Sequence, residues 1–220
     1  MWLTILFAIT TFFSDYHREA QCAIDLFNQH SEIRTELCHY LTEEESRMAQ
    51  AIVMPEVAMY TKLGGQMEYR TLCLMYILHS KAEFSIGLFQ MKPSFVEQLE
   101  QQLAADKNLK RKYAKLFIHK RNARECRKIR MDRMMQLKWQ TRYLAAFVDI
   151  CKQKTANIHF TSTQELLRHW ATLYNAGLHR NAADVNRLQR LKQFPHFRNK
   201  YNYADVAWEF YQQLKNTTYK

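Results

Sequence analysis

Four glycines and three prolines in 220 residues leave this chain few places to turn sharply. A β-sandwich or barrel needs turn signals roughly every 8 to 12 residues, so long helices are the reading that remains. Hydrophobic residues make up 47% of the chain, with 12 Tyr and 13 Phe, which excludes an intrinsically disordered tail. The length suits a single domain with a sizeable core. The fold class expected is all-α.

Apolar spacing supplies the helices. Ala20, Ile24, Phe27 and Leu37 mark helical segments from Asp15 onward, with a break near His30-Ser31. Thr42, followed three residues later by Glu45, has the form of a capping box. The helix it opens should run through Tyr60 and stop at Gly64-Gly65. Pro55 lies inside that helix and implies a kink. A second apolar helix is expected over Met67 to His79, a loop over 80–93, and a helix from a Ser94 cap through Ala104. Leu109, Tyr113, Leu116 and Phe117 fall on one helix face, and Met134, Leu137, Leu144, Val148 and Cys151 continue a stripe. Gln164 to Ala176 forms a helix ended by Gly177, and a last helix covers Tyr203 to Leu214.

Charge is uneven. The formal net charge is +11, yet residues 107–142 hold 14 Lys or Arg against Glu125 and Asp132, a local balance of +12. The rest of the chain is nearly neutral. Such a segment is either a solvated helix face or a surface for an acidic polymer or an anionic membrane. The five cysteines, Cys22, Cys38, Cys73, Cys126 and Cys151, lack metal-ligand spacing. No metal or cofactor is implied. One or two disulfides would fit an exported chain, whereas buried thiols fit the odd count. Residues 1–14 are an apolar run too short to span a bilayer. They fit the apolar region of a signal peptide, without the preceding Lys or Arg or a following Ala-x-Ala; the other reading is a first helix packed into the domain.

Two segments carry candidate chemistry. Glu56 is flanked by Ile52, Val53, Met54, Pro55 and Val57, the surroundings that raise a carboxyl's pKa and let it deliver a proton near neutrality. In the loop Ser85-Ile-Gly-Leu-Phe-Gln-Met-Lys-Pro93, Gly87 permits a turn, Ser85 and Gln90 offer groups that can hold a carboxylate or a sugar, and Leu88, Phe89 and Met91 would pack the loop down.

Gly87-Leu-Phe-Gln-Met-Lys-Pro93 resembles the Gly-Leu-Met-Gln-x-x-Pro element of soluble lytic transglycosylases and goose-type lysozymes. Ala171-Thr-Leu-Tyr-Asn-Ala-Gly177 is similar to their Ala-x-Ala-Tyr-Asn-Ala-Gly element, and Arg142-Tyr-Leu-Ala-Ala-Phe147 weakly resembles the helix between them. Together with Glu56 upstream, these cover about Thr42 to Arg180. The resemblance implies a lysozyme-like helical domain over residues 15–220, with the basic segment 107–142 inserted. Glu56 would be the acid and then the base. Ser85 would orient it or contact substrate; Gly87, Leu88, Phe89 and Gln90 would shape the floor beneath the sugar. Tyr174 would hydrogen-bond near the reacting centre, braced by Asn175. The implied substrate is peptidoglycan, cleaved at the bond between N-acetylmuramic acid and N-acetylglucosamine by a chain exported to the periplasm or cell envelope.

The chain departs from that family in two ways. Val57 stands where Ser usually follows the acid, and the interval from Glu56 to Gly87 is longer than usual. Glu68, within that interval, is the rival acid, and Glu83 is placed as a second carboxylate that would activate water. His169, Trp170 and His179 read as structural or as outer subsites, Trp139 and Trp208 as core or as sugar platforms. A nucleic-acid partner leaves both family-like elements unexplained.

Overall fold

The computed structural model describes residues 11–63, 69–79, 83–196 and 198–216. Among these there are twelve α-helices and no strands beyond two isolated bridges. The helices are α1 (Phe12–Asp15), α2 (His17–Gln29), α3 (Ser31–Cys38), α4 (Glu43–Leu63), α5 (Tyr69–His79) and α6 (Pro93–Ala105). Then follow α7 (Lys107–Lys112), α8 (Ala123–Met134), α9 (Leu137–Thr155), α10 (Thr163–Ala176), α11 (Ala182–Leu188) and α12 (Tyr203–Asn216). The protein is all-α.

At the centre lies α4. Its start is a capping box in full: the Glu45 N–H donates to Thr42 Oγ1 at 3.2 Å, and the Thr42 N–H donates to Glu45 Oε2 at 2.9 Å. From Met48 onward almost every side chain is buried, through Ile52, Val53, Met54, Val57 and Ala58. A helix apolar all round can only be stable when surrounded, and α2, α3, α9, α10 and α12 pack around this one. Pro55 is inside the helix, which runs on through it. The stop expected at Gly64-Gly65 lies outside the described residues.

Several boundaries moved from where the sequence placed them. Lys92, not Ser94, is the N-cap of α6, with Pro93 at the first helical position, where its missing N–H costs nothing. The Ser94 hydroxyl instead donates to Glu83. The segment after Asp106 is not one helix. It is broken into six-residue α7, a 3₁₀ turn over Ala114–Leu116, an irregular stretch and α8. Leu109, Tyr113 and Leu116 are buried all the same, because the break re-aims them at the core. Met134 and Leu137 fall on different helices, and α11 has no counterpart in the sequence reading.

At the N-terminal side, residues 1–10 lie outside the described residues. Phe12 is fully buried, stacked on Tyr16 at 4.9 Å and edge-on to Tyr201. The N–H groups of Phe12 and Phe13 donate to Glu209. The packed domain therefore starts before Asp15, and cleavage after Ser14 would remove an aromatic anchor from the core. None of the five cysteines is in a disulfide, and of the five only Cys151 is fully buried.

The basic segment divides into two populations. Arg130 is buried, paired through two nitrogens with Glu100 and through Nη1 with Glu97 and the Tyr76 hydroxyl. Tyr143 donates to the same Glu100, so the Arg130–Glu100 pair ties α5, α6, α8 and α9 together. Lys112 pairs with buried Asp149, Arg142 with Glu36, and Arg133 donates to the Leu116 carbonyl. Trp139 lies under Arg133 and Arg142, and Trp208 stacks on Tyr211. Arg127 is half-buried and donates to the Ile77 and Leu78 carbonyls, and the remaining cations of the segment, among them Lys110, Arg111, Arg124 and Lys128, are exposed.

Breaking a buried ion pair leaves its partner charge uncompensated. Arg130→Ala is expected to cost about 3 kcal/mol in urea unfolding, while Arg124→Ala stays within about 0.5 kcal/mol. Equal losses would show that the internal network carries no special weight.

Candidate active site

The cleft is built where α4, α10, α12 and the 83–95 segment meet. It encloses about 480 Å³, within the range of roughly 300–1,000 Å³ that suits a small organic ligand. Glu56, Ser85, Gln90, Tyr174 and Asn175 all line it, together with Tyr203, Lys92 and Arg180. Residues from three distant parts of the chain thus converge on Glu56.

Glu56 sits low in this cleft, partly accessible, on a helix whose neighbouring side chains are buried. Burial raises its carboxyl from the usual range to about 7, against the pull of the Lys92 ammonium, which lowers it. The surroundings explain the direction. Two phenols are close enough for the Glu56 charge to act on them: those of Tyr174 and Tyr203, each raised well above the usual Tyr range, first by their own burial and then by Glu56. Neither offers Glu56 its proton. Tyr174 donates to the Phe89 carbonyl at 2.6 Å, and Tyr203 donates to the Ile52 carbonyl at 2.8 Å. No hydrogen bond or ion pair to the Glu56 carboxyl is found among the described residues. An anion there would be desolvated and unsupported, so the neutral acid is favoured.

The loop that faces Glu56 is a tight turn closed by a bridge between Ile86 and Met91, with mutual N–H to carbonyl bonds of 2.8 and 3.1 Å. Gly87 and Gln90 both have positive φ, 69° and 51°. The strain at Gln90 is offset by its amide, which donates to the Gly87 carbonyl at 2.6 Å. A Cβ on Gly87 would come within 2.6 Å of the Met134 carbonyl oxygen and nearer still to the Gln140 amide. Gln140, on α9, in turn accepts the Phe89 N–H at 2.8 Å. The Phe89 peptide is therefore gripped on both sides, by Gln140 through its N–H and by Tyr174 through its carbonyl.

Leu88 and Phe89 pack the loop down as expected, and what is corrected is the substrate-facing place implied for them and for Gly87. Phe89 is fully buried and stacks on Phe27 at 6.0 Å; Leu88 packs against the core; Gly87 makes room for Gln140. None of the three lines the cleft, and they shape it through the backbone. Asn175 is exposed on the rim and makes no hydrogen bond to Tyr174 among the described residues. Tyr174 is braced instead by the rings of Phe95 and Phe147, both edge-on at 5.3 Å. Glu83 also lines the cleft, exposed, and accepts from Ser94 at 3.0 Å. Glu68 lies outside the described residues. His179 lines the cleft, whereas His169 and Trp170 are buried, and Trp139 and Trp208 are not in its lining.

Sequence reasoning missed Tyr203 and Gln140. Asn202 carried a usable signal, since Asn before an apolar helix is a preferred N-cap. Its side chain accepts the Ala204 N–H and donates to the Leu188 and Leu191 carbonyls, fixing Tyr203 at the head of α12. Nothing local marks either residue as facing Glu56 or the turn. Among the described residues, no group of His, Cys, Asp or Glu could hold a metal ion. Compared with protein-family models, curated proteins and solved structures, the chain matches none.

Two outcomes are expected. Gly87→Ala forces both a Cβ clash and an unfavourable φ, and should cost about 1–3 kcal/mol. Thermal unfolding checks this, with Ser85→Ala as the near-neutral control. For Glu56, a raised folded-state pKa means that the folded state binds more protons than the unfolded one between about 4.5 and about 7. Stability is fully present below that window and falls as pH rises through it, by no more than about 3 kcal/mol. Glu56→Gln removes the titration, so its stability gain over the parent should be larger at pH 8 than at pH 5. The same gain at both would mean that Glu56 is not desolvated.

Proposed function

We propose that this chain is a peptidoglycan lytic transglycosylase with Glu56 as its single acid and base. The observation that carries the reading is a carboxyl held neutral to about pH 7 in a cleft whose walls are the two family-like segments, Ser85 to Pro93 and Ala171 to Gly177. A neutral carboxylic acid can protonate the glycosidic oxygen as the C1–O bond breaks. The acetamido carbonyl of the N-acetylmuramic acid then bonds to C1, sharing its developing positive charge. Glu56, now a carboxylate, takes the proton of the C6 hydroxyl as that oxygen attacks C1 and expels the acetamido oxygen. A 1,6-anhydro ring closes and Glu56 regains its proton. No second carboxylate is required.

Tyr203 and Tyr174, whose hydroxyls donate to backbone carbonyls, leave the anion between the two steps without a phenol donor. Ser85, Gln90 and Asn175 present polar groups to the sugar from the turn and from the end of α10. The substrate implies export to the periplasm or cell envelope. Glu83 favours a second reading. Its exposed carboxylate on the same cleft could activate a water, which would make the enzyme a muramidase.

Digestion of purified sacculi followed by mass analysis separates these readings. Anhydro-muramyl ends are expected, whereas reducing ends would assign hydrolysis. Glu56→Gln should lower turnover by about 10²–10⁴-fold. The parent rate should fall as pH rises above about 7, where Glu56 loses its proton. Sacculus binding with no release by the parent protein would make this an idle glycan-binding relative.

A further inference from the structure

One surface of the molecule has no part in the cleft. On α5, Leu74, Met75 and Leu78 are 53%, 49% and 39% exposed. At i, i+1 and i+4 they form a single stripe, on the side opposite Tyr76, which is buried and hydrogen-bonded to Glu97 of α6. Three long apolar side chains standing in water at one place are a feature with a cost. The helix that holds α5 in place is α8, and α8 is cationic. Arg127 of α8 donates to the Ile77 and Leu78 carbonyls, at 3.0 and 3.4 Å, so a guanidinium adjoins the end of the apolar stripe. Arg124 lies three residues before Arg127 on the same side of α8 and Lys128 one turn after Arg124, both exposed. Lys120 and Arg121, also exposed, precede α8. Against these, Glu125 is the nearby acid.

We infer that the α5–α8 face is a docking surface for an anionic lipid bilayer, with Leu74, Met75 and Leu78 entering the headgroup–acyl boundary and the α8 cations meeting lipid phosphates. An acidic glycan or a nucleic acid would use the cations and leave the apolar stripe in water. A bilayer uses both, because apolar insertion and attraction to anionic headgroups add. Each Lys or Arg close to such a surface adds to the attraction, so a few are enough for reversible binding. Among the described residues no helix is long and apolar enough to cross a membrane, and the contact inferred is peripheral.

Vesicle flotation of the full chain tests this, with phosphatidylcholine vesicles containing about a third phosphatidylglycerol against pure phosphatidylcholine. Binding to the anionic vesicles alone is expected, falling as salt rises because exposed charges are screened. A Leu74→Ser, Met75→Ser, Leu78→Ser variant should weaken it by at least about 10-fold, as three exposed apolar insertions are lost. Its unfolding midpoint and its digestion of sacculi should not change. Arg124→Gln with Lys128→Gln should weaken binding and flatten the salt dependence. Glu56→Gln should bind vesicles like the parent, which separates failure of this inference from failure of the cleft assignment. Absence of vesicle binding would overturn it. So would binding that the serine variant retains, or a charge-dependent attachment to sacculi or duplex DNA with no vesicle binding.

Discussion

The burial of α4 is the constraint on which the rest of the structure depends. A helix with apolar side chains on every side forces the surrounding helices into a ring, and α2, α3, α9, α10 and α12 form it. Once that ring is closed, any polar side chain on the inner length of α4 must be either satisfied by its neighbours or left at an opening. Gln50 takes the first course, donating back to Ser46. Glu56 takes the second, at the place where the 83–95 segment and the head of α12 leave a gap in the ring. The cleft is thus the gap left by the packing of α4.

What fixes the shape of that gap is a small number of hydrogen bonds between residues far apart in sequence. The Phe89 peptide is held by Gln140 on one side and Tyr174 on the other, and Tyr203 reaches the Ile52 carbonyl one turn before Glu56. The two bonds at Phe89 satisfy buried backbone groups that would otherwise go unpaired, each at a cost of about 1–3 kcal/mol. The turn can be this tight only because Gly87 has no Cβ to meet Gln140. Stability and site geometry therefore rest on the same atoms. A change to the turn is felt at Tyr174 without touching Glu56.

Much of this was legible in the sequence. The turn-poor composition, the Thr42 to Glu45 capping box and the Gly177 end of α10 depend on local chemistry, and local chemistry is written in adjacent residues. That Ser85, Gln90 and Tyr174 would share a cleft with Glu56 was implied by the resemblance of two motifs to one family. The parts that could not be read are those in which a partner distant in sequence decides. The apolar spacing of Leu109, Tyr113 and Leu116 is compatible with one helix, yet α7 ends at Lys112, and Lys112 and Tyr113 both bond to Asp149 of α9. Arg130 is indistinguishable in sequence from the exposed cations around it, and only Glu97, Glu100 and Tyr76 make it a core residue.

The same logic explains why Glu56 differs from Asp149. Asp149, nearly as enclosed, is met by Lys112, Lys152 and the Tyr113 hydroxyl, which is how a folded chain keeps a buried charge. Around Glu56 the two candidate donors, Tyr174 and Tyr203, have given their protons to backbone carbonyls, and Lys92 stands on the exposed side. Had either phenol turned to the carboxyl, it would have stabilised the anion and pulled the pKa down, as a hydrogen bond to a charged form does. Placing both donors beside the acid while committing them elsewhere leaves a carboxyl that stays protonated near neutrality. That arrangement destabilises the ionised fold, and a purely structural Glu would gain nothing from it. It is the condition that general acid catalysis at neutral pH requires.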